Sequence, residues 1–129
     1  STPIKSSAAS DVYKRQEEIE QLGERQNDFK NAINKGNAMN IAETDEAFHD
    51  VIYLGTGNDK LVQILNNLRE QMYRYRLEYV KDARAHSILI SEHKDIIDKL
   101  SKKDEENTKI VIRQHITNQE KGIIRLLNK

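Results

Sequence analysis

The 129-residue chain has room for one domain, because 36% hydrophobic and 33% charged residues provide too little apolar material for two separate cores. Lys plus Arg and Asp plus Glu number 21 each, so no overall electric field draws the chain to nucleic acid or to an acidic membrane. The lack of cysteine excludes disulfides, thiolate zinc sites and a cysteine nucleophile, so any metal must be bound by nitrogen and oxygen ligands.

The N-terminal stretch STPIKSSAASDVYKRQ (1–16) lacks helical periodicity and is rich in small polar residues, which is typical of a disordered tail. Its part SSAASDVYKRQ also resembles the in-frame translation of a transposon-type sequencing adapter. We therefore interpret residues 1–16 as a disordered or non-native segment and residues 17–129 as the folded domain. If the segment is a library artefact, the natural protein extends further toward its N-terminus.

Beyond residue 16 the periodicity is helical, and no alternating run is long enough for a strand. This predicts an all-α fold, an antiparallel helical bundle of about five helices. The first helix is expected over 17–34 and should end at KGN (35–37), where a glycine follows the last turn. The second is expected to have Asn40 as its N-cap, with a glutamate three residues later, and to stop at Gly55.

Asn58 is the expected N-cap of a long third helix over 59–80. Its apolar residues are predicted to form one stripe, namely Leu61, Leu65, Leu68, Met72, Tyr75 and Tyr79. The fourth helix is expected over 86–100 and the fifth over 104–127, where an acidic first residue suits the positive end of the helix dipole. No apolar run is long enough to cross a bilayer, so we expect a cytoplasmic protein without a membrane contact.

Ionisable residues interrupt the apolar stripes of three predicted helices. Asp45 lies in the same narrow sector as Phe48, with His49 on the shoulder of that sector. His93 lies at the centre of the fourth stripe, and His115 shares the apolar face of the fifth helix. Each residue alone fits a core histidine or a buried hydrogen-bonded pair.

Together the four residues suggest a metal site, because an unpaired buried carboxylate costs several kcal/mol and clustered imidazoles need a reason to be there. Asp45 and His49, four residues apart, can chelate from one helix, while imidazoles from two other helices complete the set. One Asp and three His suit zinc, nickel or another transition metal. His86 is excluded, because seven residues of helix separate it from His93 by about 10 Å.

Several motifs occur in a defined order: DEAFH (45–49), GTGN (55–58), SEHKDII (91–97), and Asp104 followed by His115. In this combination the chain resembles the FCD domain, the C-terminal sensor domain of the FadR branch of GntR-type transcription regulators, over roughly residues 17–120. The resemblance implies a metal within a helical bundle. Its ligand positions correspond here to Asp45, His49, His93 and His115. The chain differs from the family pattern at Asp59, Lys103 and Thr108, none of which is a ligand position.

The resemblance further implies the effector-binding and dimerisation part of a bacterial transcription regulator, and not an enzyme. The divalent metal, zinc or else nickel or manganese, would coordinate an oxygen of a small organic or sugar acid. The bound effector would favour one arrangement of a homodimer. DNA would be bound only through a winged helix-turn-helix domain that has no counterpart in this sequence.

Effector contacts are expected from Arg76 and Tyr79, which offer a guanidinium for a carboxylate and a phenol. The run YRYRLEY (73–79) fits packing or a dimer surface equally well. One alternative is a metal-dependent hydrolase-like bundle, since such metals activate water. That alternative lacks a base, because Glu92 points about 100° away from His93. The other is a structural helical bundle with core histidines.

Overall fold

The computed structural model describes residues 2–102, with side chains from residue 15, and also residues 110, 113–115, 117, 118, 121 and 124. Residues 2–102 form five helices, namely α1 (Thr2–Lys35), α2 (Ala38–Gly55), α3 (Asp59–Asn67), α4 (Arg69–Val80) and α5 (Ala83–Ser101). The described residues from 110 onward are helical too, and no strand occurs in the described part of the chain. The predicted all-α class is confirmed.

Helix α1 begins at Thr2, so the expected start near residue 17 was wrong. Alanine, lysine, arginine and glutamine in this stretch are good helix formers, and a proline is tolerated in a first turn because its missing N–H needs no partner there. The origin of segment 1–16 stays a prediction, because a backbone conformation does not test it. The end at KGN is confirmed: Gly36 adopts φ +77° and donates its N–H to the Ala32 carbonyl at 3.0 Å.

The N-cap of α2 is Asn37 and not Asn40, which corrects the sequence prediction. The positive φ of Gly36 turns the chain so that Asn37 is extended, and its side chain accepts a hydrogen bond from the Asn40 N–H at 3.2 Å. The predicted end at Gly55 is confirmed. Asn58 caps α3 as expected, accepting from the Leu61 N–H at 3.0 Å.

The structure has two helices, α3 and α4, where the sequence predicted one helix over 59–80. The predicted length and the prediction of a single apolar stripe were therefore wrong. Leu68 separates them with φ −99° and ψ 1°, and its N–H reaches the carbonyls of Ile64 and Leu65, both at 3.2 Å. These bonds mark a tightened turn between the two helices. The predicted stripe is not uniformly buried, since Leu68 and Tyr75 are 47% and 48% exposed whereas Tyr79 is buried.

Helix α5 starts at Ala83, ahead of the predicted start at His86. Asp82 is its N-cap and accepts a hydrogen bond from the Arg84 N–H at 3.0 Å. The His86 ring instead lies 2.7 Å from the Val80 carbonyl through Nε2. The predicted start of the last helix at Asp104 lies outside the described residues.

Two apolar clusters form the described core. The larger contains Phe29, Ala32, Ile41, Ala42, Tyr79, Val80, Ala85 and Leu89. The smaller contains Leu22, Phe48 and Ile96. Helix α1 packs on α2 and α5, and α2 also packs on α4.

A polar layer lies between the two clusters, and the same spacing builds it on three helices. Each of these helices buries an apolar residue, then a polar one four positions on, then an apolar one three further on. The three sets are Leu22, Gln26 and Phe29; Ile41, Asp45 and Phe48; and Leu89, His93 and Ile96. In α1 the order of the clusters is the reverse of that in α2 and α5, as expected of an antiparallel bundle.

Candidate metal centre

The polar layer contains buried side chains from several helical elements. Helix α2 contributes Asp45 and His49, which point the same way because they are four residues apart. His93 comes from α5, and His115 comes from the described helical residues near the C-terminus. All four residues are at most 3% exposed. The structure therefore brings the four predicted ligand positions into one buried place.

The three imidazoles converge on one another. One ligand nitrogen from each of His49, His93 and His115 lies within 4.8 Å of the other two. The Nε2 atoms of His49 and His115 are 2.6 Å apart, and these two rings are stacked with centroids at 4.8 Å. The His93 ring stands edge-on to both and stacks against Phe48 at 3.9 Å.

The outward Nδ1 atom of each histidine faces an oxygen. His49 Nδ1 is 2.7 Å from the Asp45 backbone carbonyl, and His93 Nδ1 is 2.8 Å from Gln26 Oε1. His115 Nδ1 contacts the Glu92 carboxylate. Because these oxygens accept hydrogen bonds, Nδ1 carries the proton in each ring, and the Nε2 lone pair points into the centre.

This arrangement places lone pairs against lone pairs. His49 Nε2 faces His115 Nε2 at 2.6 Å, and His93 Nε2 faces Asp45 Oδ1 at 2.9 Å. His93 Nε2 and the Asp45 carboxylate oxygens make no hydrogen bond of good geometry with a described residue, although Arg76 forms an ion pair with Asp45. Such contacts are unfavourable in a buried site unless a proton or a cation lies between the atoms. The donor set therefore fits a divalent cation, and its nitrogen-rich chemistry suits zinc.

The charge state of the centre also suits a cation. Burial alone would raise the pKa of the Asp45 carboxyl, but the positive charges that His49 and His93 carry when protonated, together with that of Arg76, outweigh burial and hold that pKa well below its usual range. Burial lowers the pKa of His49 to about 3 despite the opposing charge of Asp45, and it lowers the pKa of His93 as well. At neutral pH the centre therefore contains a carboxylate beside at least two neutral imidazoles.

The two predicted effector contacts lie in different surroundings. Arg76 is buried, and its Nε lies 2.8 Å from Asp45 Oδ2. Tyr79 packs in the larger apolar cluster. His86, excluded from the ligand set, lies apart from the three converging histidines.

A surface pocket between α2, α3 and α4 adjoins the polar layer. It is lined by Glu46, Asp50, Tyr53, Leu65, Arg69, Met72 and Arg76. Arg69 contacts Glu46 and also reaches Asp50, with Nη2 at 3.1 Å from Oδ1. Arg76 both lines the pocket and contacts Asp45, so it connects the pocket to the centre.

The sequence did not assign two residues that the structure places at the histidines. Glu92 does point away from His93, but its direction leads to His115, and it also accepts from Asn118 Nδ2 at 3.1 Å. Gln26 of α1 contacts His93 and is buried. Its position between Leu22 and Phe29 in an apolar stripe was a signal that could have revealed it.

The chain matches a model of a known protein family. A family model described as the FCD domain matches residues 7–118, beginning inside the segment that we set apart at the N-terminus. No curated protein and no solved structure matches significantly. Within the described residues, none of the helices combines the length and the apolar character that crossing a membrane requires.

Proposed function

The chain belongs to the FCD domain family, and on that premise we propose that it is the metal-dependent sensing and dimerisation domain of a bacterial GntR/FadR-type transcription regulator. FCD domains are regulatory ligand-sensing helical domains, so a sensing role follows from the family itself. The proposal adds a metal, a small organic or sugar acid as effector, a cytoplasmic homodimer, and DNA binding through a separate winged helix-turn-helix domain.

The convergence of three Nε2 lone pairs beside an anionic carboxylate carries the metal proposal. His49, His93 and His115 would hold the ion, with Asp45 as the oxygen ligand. Zinc is the preferred ion, with nickel and manganese as the next choices. When bound, the ion would supply a Lewis-acidic centre for an oxygen of the effector.

Arg76 supports a carboxylate effector, because a guanidinium binds a carboxylate through two parallel hydrogen bonds. Its position between the pocket and Asp45 means that an acid in the pocket would compete with Asp45 for this side chain. Tyr53 lines the same pocket and is the phenol that we add to the effector site, whereas Tyr79 stays a prediction without support from the pocket lining.

A change in the Arg76 contact would affect how α4 packs on α2, the helix that holds two of the ligand positions. Two arrangements of these helices with different affinities for the effector are what a sensor domain needs. Linkage then requires that metal and effector influence each other's binding by the same factor. The dimer would transmit the preferred arrangement to the DNA-binding domains.

Elemental analysis of the purified, tag-free protein tests the metal assignment. His115→Ala removes a ligand position, and His86→Ala is the matched control, because that ring lies outside the centre. We expect near-stoichiometric zinc, nickel or manganese in the wild type and in His86→Ala, and none in His115→Ala. A folded wild-type protein that stays metal-free after incubation with each ion would overturn the proposal and favour a structural bundle with core histidines.

The effector class is tested separately by thermal shift on the metal-loaded protein, with a panel of small organic and sugar acids. We expect at least one acid to raise Tm in the wild type and to lose its effect in Arg76→Lys, which keeps the charge but not the two parallel donors. Amides of the same acids are the controls. An equal response from acids and amides would contradict a carboxylate effector.

A further inference from the structure

The oxygens that face the three Nδ1 atoms belong to different chemical classes. His49 has a backbone carbonyl, His93 has the neutral side-chain amide of Gln26, and His115 has the carboxylate of Glu92. The backbone carbonyl of Asp45 is part of α2, and a side-chain substitution does not remove it. The other two acceptors are side chains, and neither is itself a ligand position.

Gln26 is held at both ends of its amide. Its Nε2 donates to the Ile90 backbone carbonyl at 3.0 Å, and its Oε1 faces His93 Nδ1 at 2.8 Å. The carbonyl of Ile90 can only accept, so the amide cannot reverse without losing that bond. The acceptor end is thereby fixed toward His93, which keeps the proton of that ring on Nδ1.

Both carboxylate oxygens of Glu92 also have a partner. One carboxylate oxygen contacts His115 Nδ1, and the other accepts from Asn118 Nδ2 at 3.1 Å. The side chain is 14% exposed, so water screens it only partly. These two contacts tie α5 to the described helical residues near the C-terminus and set the direction of the His115 ring.

We propose that Glu92 and Gln26 are positioning residues of the metal centre. Glu92 contributes more to metal affinity, because the group that it offers to its histidine is an anionic carboxylate, whereas Gln26 offers a neutral amide. A carboxylate facing Nδ1 increases the electron density at Nε2 and makes the imidazole a stronger ligand than an amide does. His115 is accordingly the strongest nitrogen donor of the three. The inference rests on the proposed metal-binding function.

The test measures zinc affinity by competition with a chromogenic chelator. Glu92→Gln keeps the size of the side chain and removes its charge, and Gln26→Met removes the acceptor from His93. Asp95→Asn is the matched control, because it removes one negative charge from an exposed position of the same helix. We expect Glu92→Gln to weaken zinc binding about 10-fold to 100-fold, Gln26→Met to weaken it less, and Asp95→Asn to leave it unchanged.

A second measurement separates positioning from a general loss of structure. Cobalt bound to each variant is followed through its visible ligand-field bands, and folding is followed by urea unfolding without metal. We expect Glu92→Gln to bind one equivalent of cobalt with shifted bands while its metal-free form unfolds cooperatively. If Glu92→Gln does not fold, Gln26→Met decides through the same two measurements.

The outcomes distinguish this inference from the function on which it rests. A wild-type protein that binds neither zinc nor cobalt overturns the metal proposal, and the positioning roles with it. A wild type that binds both ions, with Glu92→Gln equal to it in affinity and spectrum, overturns the positioning role and leaves the metal proposal intact. A greater loss in Gln26→Met than in Glu92→Gln overturns the ranking of the two residues.

Discussion

Two arginines of α4 reach carboxylates of α2, one inside the bundle and one at its surface. The side chain of Arg76 is 7% exposed and meets the fully buried Asp45. The side chain of Arg69 is 44% exposed and meets Glu46 and Asp50, which are 19% and 34% exposed. The inner pair and the two outer pairs join the same helices with the same functional groups, and they differ most clearly in burial.

Burial makes the inner pair costly to break, whereas the outer pairs are easily replaced. A buried charge that loses its partner keeps its desolvation penalty, whereas an exposed charge recovers water and counterions. Both arginines line the pocket, so its outer end contains the exposed Arg69 and its inner end contains the buried Arg76. Its outer end can therefore rearrange at little cost, while a change at its inner end reaches Asp45.

Arg76→Met should destabilise the protein more than any other substitution considered, although it preserves much of the side-chain volume and removes only the charge. Because Asp45 would remain buried without its cation, we expect a loss of about 3–5 kcal/mol in the free energy of unfolding. The measurement is urea denaturation of the metal-free protein followed by circular dichroism. A loss below about 1 kcal/mol would place this pair in the same class as a surface ion pair and remove the contrast.

Metal binding should increase the difference in stability between the buried and the exposed site, because the ion would stabilise only the buried one. At a free zinc concentration about one hundred times Kd, we expect the folded state to gain about 3 kcal/mol over the chelated protein. Differential scanning calorimetry with and without a chelator measures the gain. The variant His115→Ala serves as the control and should show no dependence on zinc.

Double-mutant cycles then compare the two pairs directly. Combining Arg76→Met with Asp45→Asn should reveal a coupling energy of about 1–3 kcal/mol, because the two residues are in contact and both are buried. The parallel cycle of Arg69→Met with Asp50→Asn should give well under 1 kcal/mol. Equal coupling energies in the two cycles would show that burial does not distinguish them.

The sequence predicted the polar layer better than its surroundings. Helical periodicity placed Asp45, His49 and His93 on inward faces, because a residue's direction on its own helix follows from spacing alone. The structure brings these residues together with His115 at one buried place, which their periodicity alone could not show. Their role as ligands stays a prediction that the proposed metal analysis tests.

Spacing could not reveal which helix faces which. Glu92 was set aside because it points away from His93, and its partner on another helix was invisible in the sequence. The break at Leu68 escaped prediction for a similar reason: residues 59–80 contain neither proline nor glycine, so no local signal marks the tightened turn there. The N-cap of α2 was misplaced by three residues, because the turn at Gly36 decides between two asparagines.

Arg69→Met at the surface should change the stability of the protein least. Its contacts with Glu46 and Asp50 hold one guanidinium between two partly exposed carboxylates, and exposed pairs contribute about 0.2–1 kcal/mol. We expect a loss in that range for the free energy of unfolding, measured by urea denaturation at low ionic strength.

Salt provides the control for this last variant, because the Debye length falls from about 30 Å at 0.01 M to about 3 Å at 1 M. The difference between Arg69→Met and the wild type should therefore shrink in 1 M sodium chloride, while the difference for Arg76→Met should persist. Persistence of both differences would mean that Arg69 acts through the packing of its aliphatic stem beside the pocket residues Leu65 and Met72, and not through its charge.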